Sequence, residues 1–230
     1  MLDDYLSLPL VQGLLLLDSK KEYSLVAGAT ISTSEVIRAA IRIIGLNSDT
    51  RWVSSIFFMV NSSSNIAYTY SDCGVIPEPD VEQLVDIAYN ASKFHELLTQ
   101  QEPRVAFLSF STMGSADHYK VKRVQEAVRK FGNKYPNIKH EGELQFDAAI
   151  DENVSNRKIN NSLLNGTANI FIFPDLGAAN IAYKITQYLA GYHALGPLLC
   201  GLSKPVHDLS RGCSVQDIVN IASISTISQS

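Results

Sequence analysis

The residues best suited to chemistry lie close together between positions 208 and 217. Ser210, Arg211 and Asp217 place a hydroxyl, a guanidinium and a carboxylate in one short segment, and an apolar helical pattern follows from residue 218. Backbone N–H groups at a helix N-terminus favour an anion, and Arg adds a planar fork of donors. The segment therefore predicts a site for a phosphate or carboxylate group. In such a site Ser210 can donate to a developing oxyanion and Asp217 can accept a proton.

The same segment has a purely structural interpretation. Ser214 and Asp217 are spaced as in a capping box, with Asp in place of the usual Glu or Gln. Arg211 could form an ion pair with Asp208, which would occupy both side chains. Spacing alone leaves the chemical and the structural interpretations open.

A second hydroxyl-rich turn lies near the start of the chain. An apolar run over residues 24–29 has the length of a strand, and Ser32 and Glu35 then fit a capping box at the start of a helical pattern. A strand, a turn with the hydroxyls of Ser32 and Thr33, and a helix start together predict an oxyanion cradle, with Arg38 one turn into the helix. The alternative is an exposed Arg38–Glu35 pair, which would contribute only about 0.3 kcal/mol.

The elements that would position these two segments alternate between strands and helices. Residues 134–165 are more polar and contain one organised piece at 141–150. The charged, Asn-rich stretch that follows it, up to Gly166, predicts a solvated loop or short helix. Strands are predicted at 24–29, 53–60, 66–70, 105–110 and 169–173; helices are predicted at 8–18, from Ser32, from Asp80, around 121–131, up to Gly191 and after the segment at 208–217. This alternation predicts an α/β fold with a largely parallel sheet.

Composition excludes several classes of function. The 230 residues are 46% hydrophobic and 18% charged with a net charge of −4, which is typical of a globular protein and argues against nucleic acid or an anionic membrane as the partner. Cys73, Cys200 and Cys213 are too widely spaced to indicate a disulfide framework or a metal site. The first residues are acidic, and the apolar run at 14–17 is too short to span a bilayer, so we expect a cytoplasmic protein.

Several short blocks, in order along the chain, resemble the phosphate acetyltransferase (phosphotransacetylase) family, including its relatives fused to malic enzymes. The resemblance covers about residues 25–227, and no Walker A, GxGxxG, HExxH or GxSxG motif competes with it. The matching blocks are GA at 28–29 with ST at 32–33 and Arg38, VSS at 53–55, STMGSA at 111–116, GELQFDAA at 142–149, FPDL at 173–176 with Asn180, Tyr183 and Lys184, GP at 196–197, GLSKP at 201–205 and DLSRGCSVQD at 208–217.

The resemblance implies the reversible reaction acetyl-CoA + phosphate ⇌ acetyl phosphate + CoA. It implies no permanently bound cofactor and no metal, since coenzyme A and acetyl-CoA are substrates. The fold it implies has two α/β lobes with a cleft between them, similar to isocitrate and isopropylmalate dehydrogenases, and the family is usually dimeric. In this chain residues 1–51 and 206–230 would form a partial first lobe, and residues 52–205 the second.

The resemblance also implies roles for individual residues. Asp217 would be the base that deprotonates the CoA thiol, and Ser210 would hydrogen-bond the acetyl carbonyl as charge develops on it. Further residues would bind the substrates: Arg211 and Arg38 would hold the phosphoryl group, Ser32 and Thr33 would line the same anion site, and Lys184 would contact CoA. An ordinary exposed helix lysine is the alternative for Lys184.

The chain departs from the family pattern in ways that leave a second function open. The family has a further segment before the start of this match, with another phosphate-binding arginine that has no counterpart here. Ile31 replaces a histidine, whereas Gly177 and Glu141 are milder changes. A non-catalytic module that binds acetyl-CoA or a partner protein is therefore the alternative to an acyltransferase.

Overall fold

The computed structural model describes residues 2–61, 63–64 and 66–227. The chain divides into a first unit, Met1–Ser55 with Leu195–Ser230, and a second unit, Ile56–Ala194. We expected the division near residues 51/52 and 205/206. In chain order the elements are α1 (Leu2–Leu6), α2 (Pro9–Ser19), β1 (Leu25–Gly28), α3 (Thr33–Ile43), β2 (Ser54–Asn61), β3 (Ile66–Ser71), α4 (Val81–Thr99), β4 (Arg104–Leu108), α5 (Tyr119–Lys134), β5 (Lys139–Leu144), α6 (Phe146–Ile150), α7 (Glu152–Lys158), β6 (Ile170–Ile172), α8 (Leu176–Ala190), β7 (His193–Cys200), β8 (Val206–Leu209) and α9 (Val215–Ile227).

The first unit is built on a short parallel sheet. β1 pairs with β8 from Leu25↔Val206 to Gly28↔Leu209. Helix α3 begins at the predicted capping box, in which Ser32 and Glu35 satisfy each other's backbone N–H groups. The buried side chains of this unit come chiefly from the apolar faces of its helices: Val11, Leu14, Leu17, Val36, Ala40, Ile221 and Ile224.

The second unit contains a mixed sheet. β2 and β3 form the predicted antiparallel hairpin, although residues 62 and 65 of its turn lie outside the described residues. β3, β6, β4 and β5 are parallel neighbours, so the prediction of a parallel sheet holds for these four strands. Within this unit the strand order is β5-β4-β6-β3-β2. Phe107, Phe131 and Phe171 are fully buried in this unit, and burying each stabilises the fold by about 2 kcal/mol.

Three strands depart from the prediction. β5 lies at the start of the polar region 134–165, where we predicted no strand, whereas α7 agrees with the solvated loop or short helix predicted after residue 150. β7 and β8 lie where we expected irregular chain. Strand β8 is only four residues long and includes His207 and Asp208, both buried. β8 was not predicted from the sequence, because a short strand whose polar residues interrupt the apolar alternation gives no periodic signal.

No helix among the described residues has the length and apolar character that crossing a membrane would need.

The close approach of β1 to β8 leads to a stability prediction at Gly28. Its φ is +96°, and an added Cβ would lie 2.5 Å from the Leu209 carbonyl oxygen and closer still to Asp208 Oδ1. We expect Gly28→Ala to lower the free energy of unfolding by about 3 kcal/mol. Gly45→Ala is the matched control, since Gly45 also has positive φ (+78°) but open space around it, and it should cost about 1 kcal/mol. Equal losses in urea unfolding would show that backbone strain, and not the close approach, sets the cost.

Candidate active site

The parallel pairing of β1 with β8 brings the two predicted segments together. The carboxyl ends of parallel strands lie at the same edge of a sheet, and Gly28 is the register partner of Leu209. The Ala29 N–H donates to the Leu209 carbonyl oxygen at 3.0 Å. The turn at 29–32, which leads into α3, therefore adjoins the turn at 210–214, which leads into α9. Two helix N-termini and two hydroxyl-bearing turns meet at one edge, which is the kind of place where open α/β sheets bind anions.

At the start of α3 the hydroxyl of Ser32 is engaged by the cap. The Ser32 Oγ donates to Glu35 Oε2 at 2.6 Å and accepts from the Glu35 N–H at 3.3 Å. The Ser32 hydroxyl, together with the Ser32 N–H that donates to Glu35 Oε2 at 3.0 Å, holds the pKa of Glu35 below its ordinary value, with the Arg38 charge as a smaller cause. No ion pair joins Arg38 to Glu35 in the part of the chain that the structure describes, so the exposed Arg38 guanidinium is available to a ligand.

The hydroxyl of Thr33, unlike that of Ser32, bonds to a residue outside α3. It donates to Asp208 Oδ2, and the Asp208 side chain is almost completely buried, with 1% of the residue exposed. Burial raises the pKa of the Asp208 carboxyl, and the Thr33 hydroxyl and the Leu209 backbone act in the opposite direction. Within the described residues, Oδ1 of Asp208 has no hydrogen-bond partner. The sequence interpretation that paired Asp208 with Arg211 was wrong, because Asp208 points into the sheet edge toward α3.

At the start of α9 the structural interpretation of Asp217 is confirmed. Its Oδ2 accepts from the Ser214 N–H and from the Ser214 Oγ, both at 2.8 Å, and the Asp217 N–H donates to Ser214 Oγ at 3.2 Å. The recorded bonds fall on Oδ2, and among the described residues none falls on Oδ1. Capping the helix thus leaves one carboxylate oxygen for other chemistry.

The remaining predicted residues of this turn are exposed. Ser210 Oγ accepts from the Gly212 N–H at 3.3 Å, so the hydroxyl hydrogen of Ser210 stays available for donation. Arg211 is exposed and makes no ion pair with any described residue. Both side chains can therefore reach a ligand.

A pocket of about 510 Å³ lies on one side of α3 within the first unit. Arg38, Arg42 and Glu35 line it with polar groups, and α1, α2 and β1 supply an apolar wall that includes Leu8 and Leu25. Arg38 therefore borders both the start of α3 and a mostly apolar space.

Lys184 lies on α8, in the second unit. Its ammonium donates to Asn180 Oδ1 at 2.9 Å and stands 5.8 Å from the centre of the Tyr183 ring. It is an exposed helix lysine with local partners.

No group of three or more His, Cys, Asp or Glu side chains able to hold a metal ion occurs in the part of the chain that the structure describes.

Comparison with models of protein families shows the family of this chain. The family model of the phosphate acetyl/butaryl transferases matches residues 2–226. The chain belongs to this family. A phosphate acetyltransferase from Acetivibrio thermocellus is 43% identical over 223 residues, which is 95% of this chain and 67% of that protein. One from Paracoccus denitrificans is 44% identical over 206 residues, covering 88% of this chain and 65% of its own length. This phosphate acetyl/butaryl transferase homologue thus spans about two thirds of its curated relatives.

Solved structures support the family assignment. The EutD phosphotransacetylase from Staphylococcus aureus has a TM-score of 0.89 at 41% identity, over 96% of this chain and 67% of that one. A phosphotransacetylase from Streptococcus pyogenes has a TM-score of 0.91 at 36% identity, over 95% and 66%. A 4-hydroxythreonine-4-phosphate dehydrogenase from Klebsiella pneumoniae, with a TM-score of 0.51 at 8% identity over 84% and 57%, shares the fold alone.

Proposed function

We propose that this protein catalyses the reversible transfer of an acetyl group between coenzyme A and phosphate. The observation that carries the proposal is the β1–β8 pairing, which brings Ser32 and the start of α3 beside Ser210 and Arg211 in a chain of this family. The named activity of the relatives supplies the substrates: acetyl-CoA, phosphate, acetyl phosphate and CoA.

The phosphoryl group would bind where the two helix N-termini meet. Arg38 and Arg211 are exposed guanidinium groups free of ion pairs with described residues, and each can hold phosphate oxygens with paired N–H donors. Ser32 lies at the same edge, and its hydroxyl would turn its hydrogen from Glu35 Oε2 to a phosphate oxygen. This set would stabilise the charge on phosphate as it leaves.

Asp217 would remove the proton from the CoA thiol. A thiol with a pKa of about 8.5 is mostly protonated at neutral pH, and the thiolate is the nucleophile. The Oδ1 of Asp217 can take that proton while Oδ2 keeps its bonds to Ser214. The thiolate attacks the acetyl carbon, the new C–S bond forms, and the C–O bond to phosphate breaks. Ser210 donates to the oxyanion of the tetrahedral intermediate, and no covalent enzyme intermediate is needed.

Lys184 would contact CoA from the second unit. Its ammonium is exposed, and a flexible lysine suits the phosphates of a nucleotide-bearing substrate. Neither a permanently bound cofactor nor a metal ion enters this proposal.

A non-catalytic module that binds acetyl-CoA or a partner protein is the second candidate. It is favoured by Ile31 in place of the family's histidine. A pure binding module would have no chemical use for Asp217, and this is why we place it second.

Our proposal also covers the wider organisation of the molecule. We infer that the two units have a two-lobe fold of the isocitrate and isopropylmalate dehydrogenase kind, and that the protein works in the cytoplasm without nucleic acid or membrane as a partner. Cys73 and Cys200 are buried and form no disulfide, which is typical of a reducing compartment.

A homodimer is supported by the exposed face of α8. Only Ala179 is buried in this helix, whereas Ile181, Ile185, Tyr188 and Leu189 are 53–84% exposed on neighbouring turns. Four such side chains offer on the order of 500 Å² of apolar surface, against the roughly 800 Å² that each partner buries in a standard interface. The stripe itself is uncharged, which suits a second copy of the same face.

Asp217→Asn tests the proposed base and thereby the function. Asn can still accept the Ser214 bonds, but it cannot take a proton, so acetyl-CoA formation from acetyl phosphate and CoA should fall by about 10² or more while the melting temperature holds. Ser214→Ala is the control. It removes the same cap, should cost about 1 kcal/mol of stability, and should leave turnover intact. An equal loss of turnover in Ser214→Ala would assign Asp217 to capping alone, and an inactive wild type that binds acetyl-CoA in calorimetry would favour the binding module.

Arg38→Gln tests the phosphoryl contact. We expect the KM for acetyl phosphate to rise about tenfold, as for the loss of one charge-assisted hydrogen bond, with the KM for CoA unchanged. Arg42→Gln removes the matched guanidinium one turn further along α3 and should change neither value. An equal effect of Arg38→Gln on both substrates would contradict its assignment to phosphate.

Leu189→Glu tests the dimer surface. A charge at the C-terminal end of the α8 stripe should reduce the mass measured by light scattering from a dimer to a monomer of 25.3 kDa. Leu163→Glu places the same charge on another leucine of the second unit, 70% exposed and outside α8, and should leave the dimer whole. A monomeric wild type would refute the interface.

A further inference from the structure

We propose that Asp208 is a positioning residue that fixes the phosphate-binding half of the site through Thr33. The proposal rests on the proposed function for its substrate, acetyl phosphate, but the geometry stands independently of it. Thr33 was expected to line the anion site directly. Its hydroxyl is instead bonded to a buried carboxylate on another strand.

Asp208 has no exposed surface through which to act on a ligand. It is 1% exposed, and its Oδ1 faces Gly28, whose missing side chain leaves the only room for it. A buried carboxylate is costly unless its oxygens are hydrogen-bonded. Within the described residues, the hydroxyl of Thr33 is the side-chain donor recorded on this carboxylate. The bond therefore has a strong energetic reason to persist.

The bond joins the two halves of the site close to the residues that would bind the substrate. Asp208 stands two residues before Ser210, at the end of β8, and Thr33 is the first residue of α3. Fixing Thr33 fixes the adjacent Ser32 and, along one rigid turn and a half of helix, Arg38. Beside the backbone pairing of β1 with β8, this side-chain hydrogen bond directly links the helix that carries Arg38 to the strand that leads to Ser210. Small misplacements of such groups cost large factors in reactivity.

The hydroxyls of Ser32 and Thr33 bond to different partners. The Ser32 hydroxyl closes the helix cap with Glu35, which fixes the first turn of α3 internally. The Thr33 hydroxyl ties that turn to β8. The buried face of α3 holds the helix against the core, and the bond to Asp208 adds a direct link from its first residue to β8.

The test is a double-mutant cycle on acetyl-phosphate binding, measured by calorimetry on the purified chain whether or not it turns over. Thr33→Val keeps the shape of the side chain and removes the donor, and we expect about tenfold weaker binding of acetyl phosphate with the affinity for CoA unchanged. Thr33→Ser keeps the hydroxyl and should bind acetyl phosphate as tightly as the wild type does. In an Asp208→Ala background Thr33→Val should have no further effect, because the bond is already gone.

Thr50→Val is the control for stability. Thr50 is a buried threonine of the same unit whose hydroxyl donates to the Trp52 carbonyl oxygen at 3.1 Å. It should lower the melting temperature without changing acetyl-phosphate binding. If Thr33→Val weakens binding equally with and without Asp208, Thr33 contacts the ligand directly and the proposal is wrong. Unchanged binding in Thr33→Val would also overturn it. If the Thr33 and Asp208 substitutions are coupled in acetyl-phosphate binding but the wild-type chain has no turnover, the proposed function is refuted and the positioning role of Asp208 stands.

Discussion

The register of β1 against β8 is the constraint on which the candidate site depends. A parallel pair places both carboxyl ends at one edge, and Gly28 beside Leu209 sets which residues of the two turns become neighbours. A shift of the register by one residue would turn every side chain of β8 to the opposite face. Asp208 would then leave the edge toward α3, and the hydroxyls and guanidinium groups of the two turns would no longer face a common ligand.

The sequence leaves open whether residues such as Asp217 cap a helix or take part in chemistry, and the structure shows that capping leaves groups for a chemical role. Asp217 caps α9, yet the cap uses one oxygen of its carboxylate. The same holds at α3, where Ser32 serves the cap and Arg38 is left without an ion pair to a described residue. Caps fix the backbone N–H groups that attract an anion, and the groups that would act on the anion stand beside them. A structural role and a chemical role are therefore compatible in one residue.

Local signals in the sequence predict the helices and miss what depends on distant pairing. The capping box at Ser32 and Glu35 and the apolar stripes of α4 and α5 are written within a few residues, and the structure confirms them. β8 is short and polar, and β7 contains Gly196 and Pro197, so neither has the alternation that marks a strand. The bond from Thr33 to Asp208 could not be predicted, because it exists only once two remote strands are in register.

That bond joins residues 175 positions apart in the chain. Between them lies the whole second unit, which has its own sheet and its own core. Domains fold as units as the chain leaves the ribosome, so the middle of this protein can be complete while its first and last segments still wait for each other. Closing so long a loop is slow and entropically costly. The pairing of β1 with β8 cannot form until residue 209 has been made, so a chain cut short after residue 205 would keep its larger unit and lack the strand that brings the two turns together.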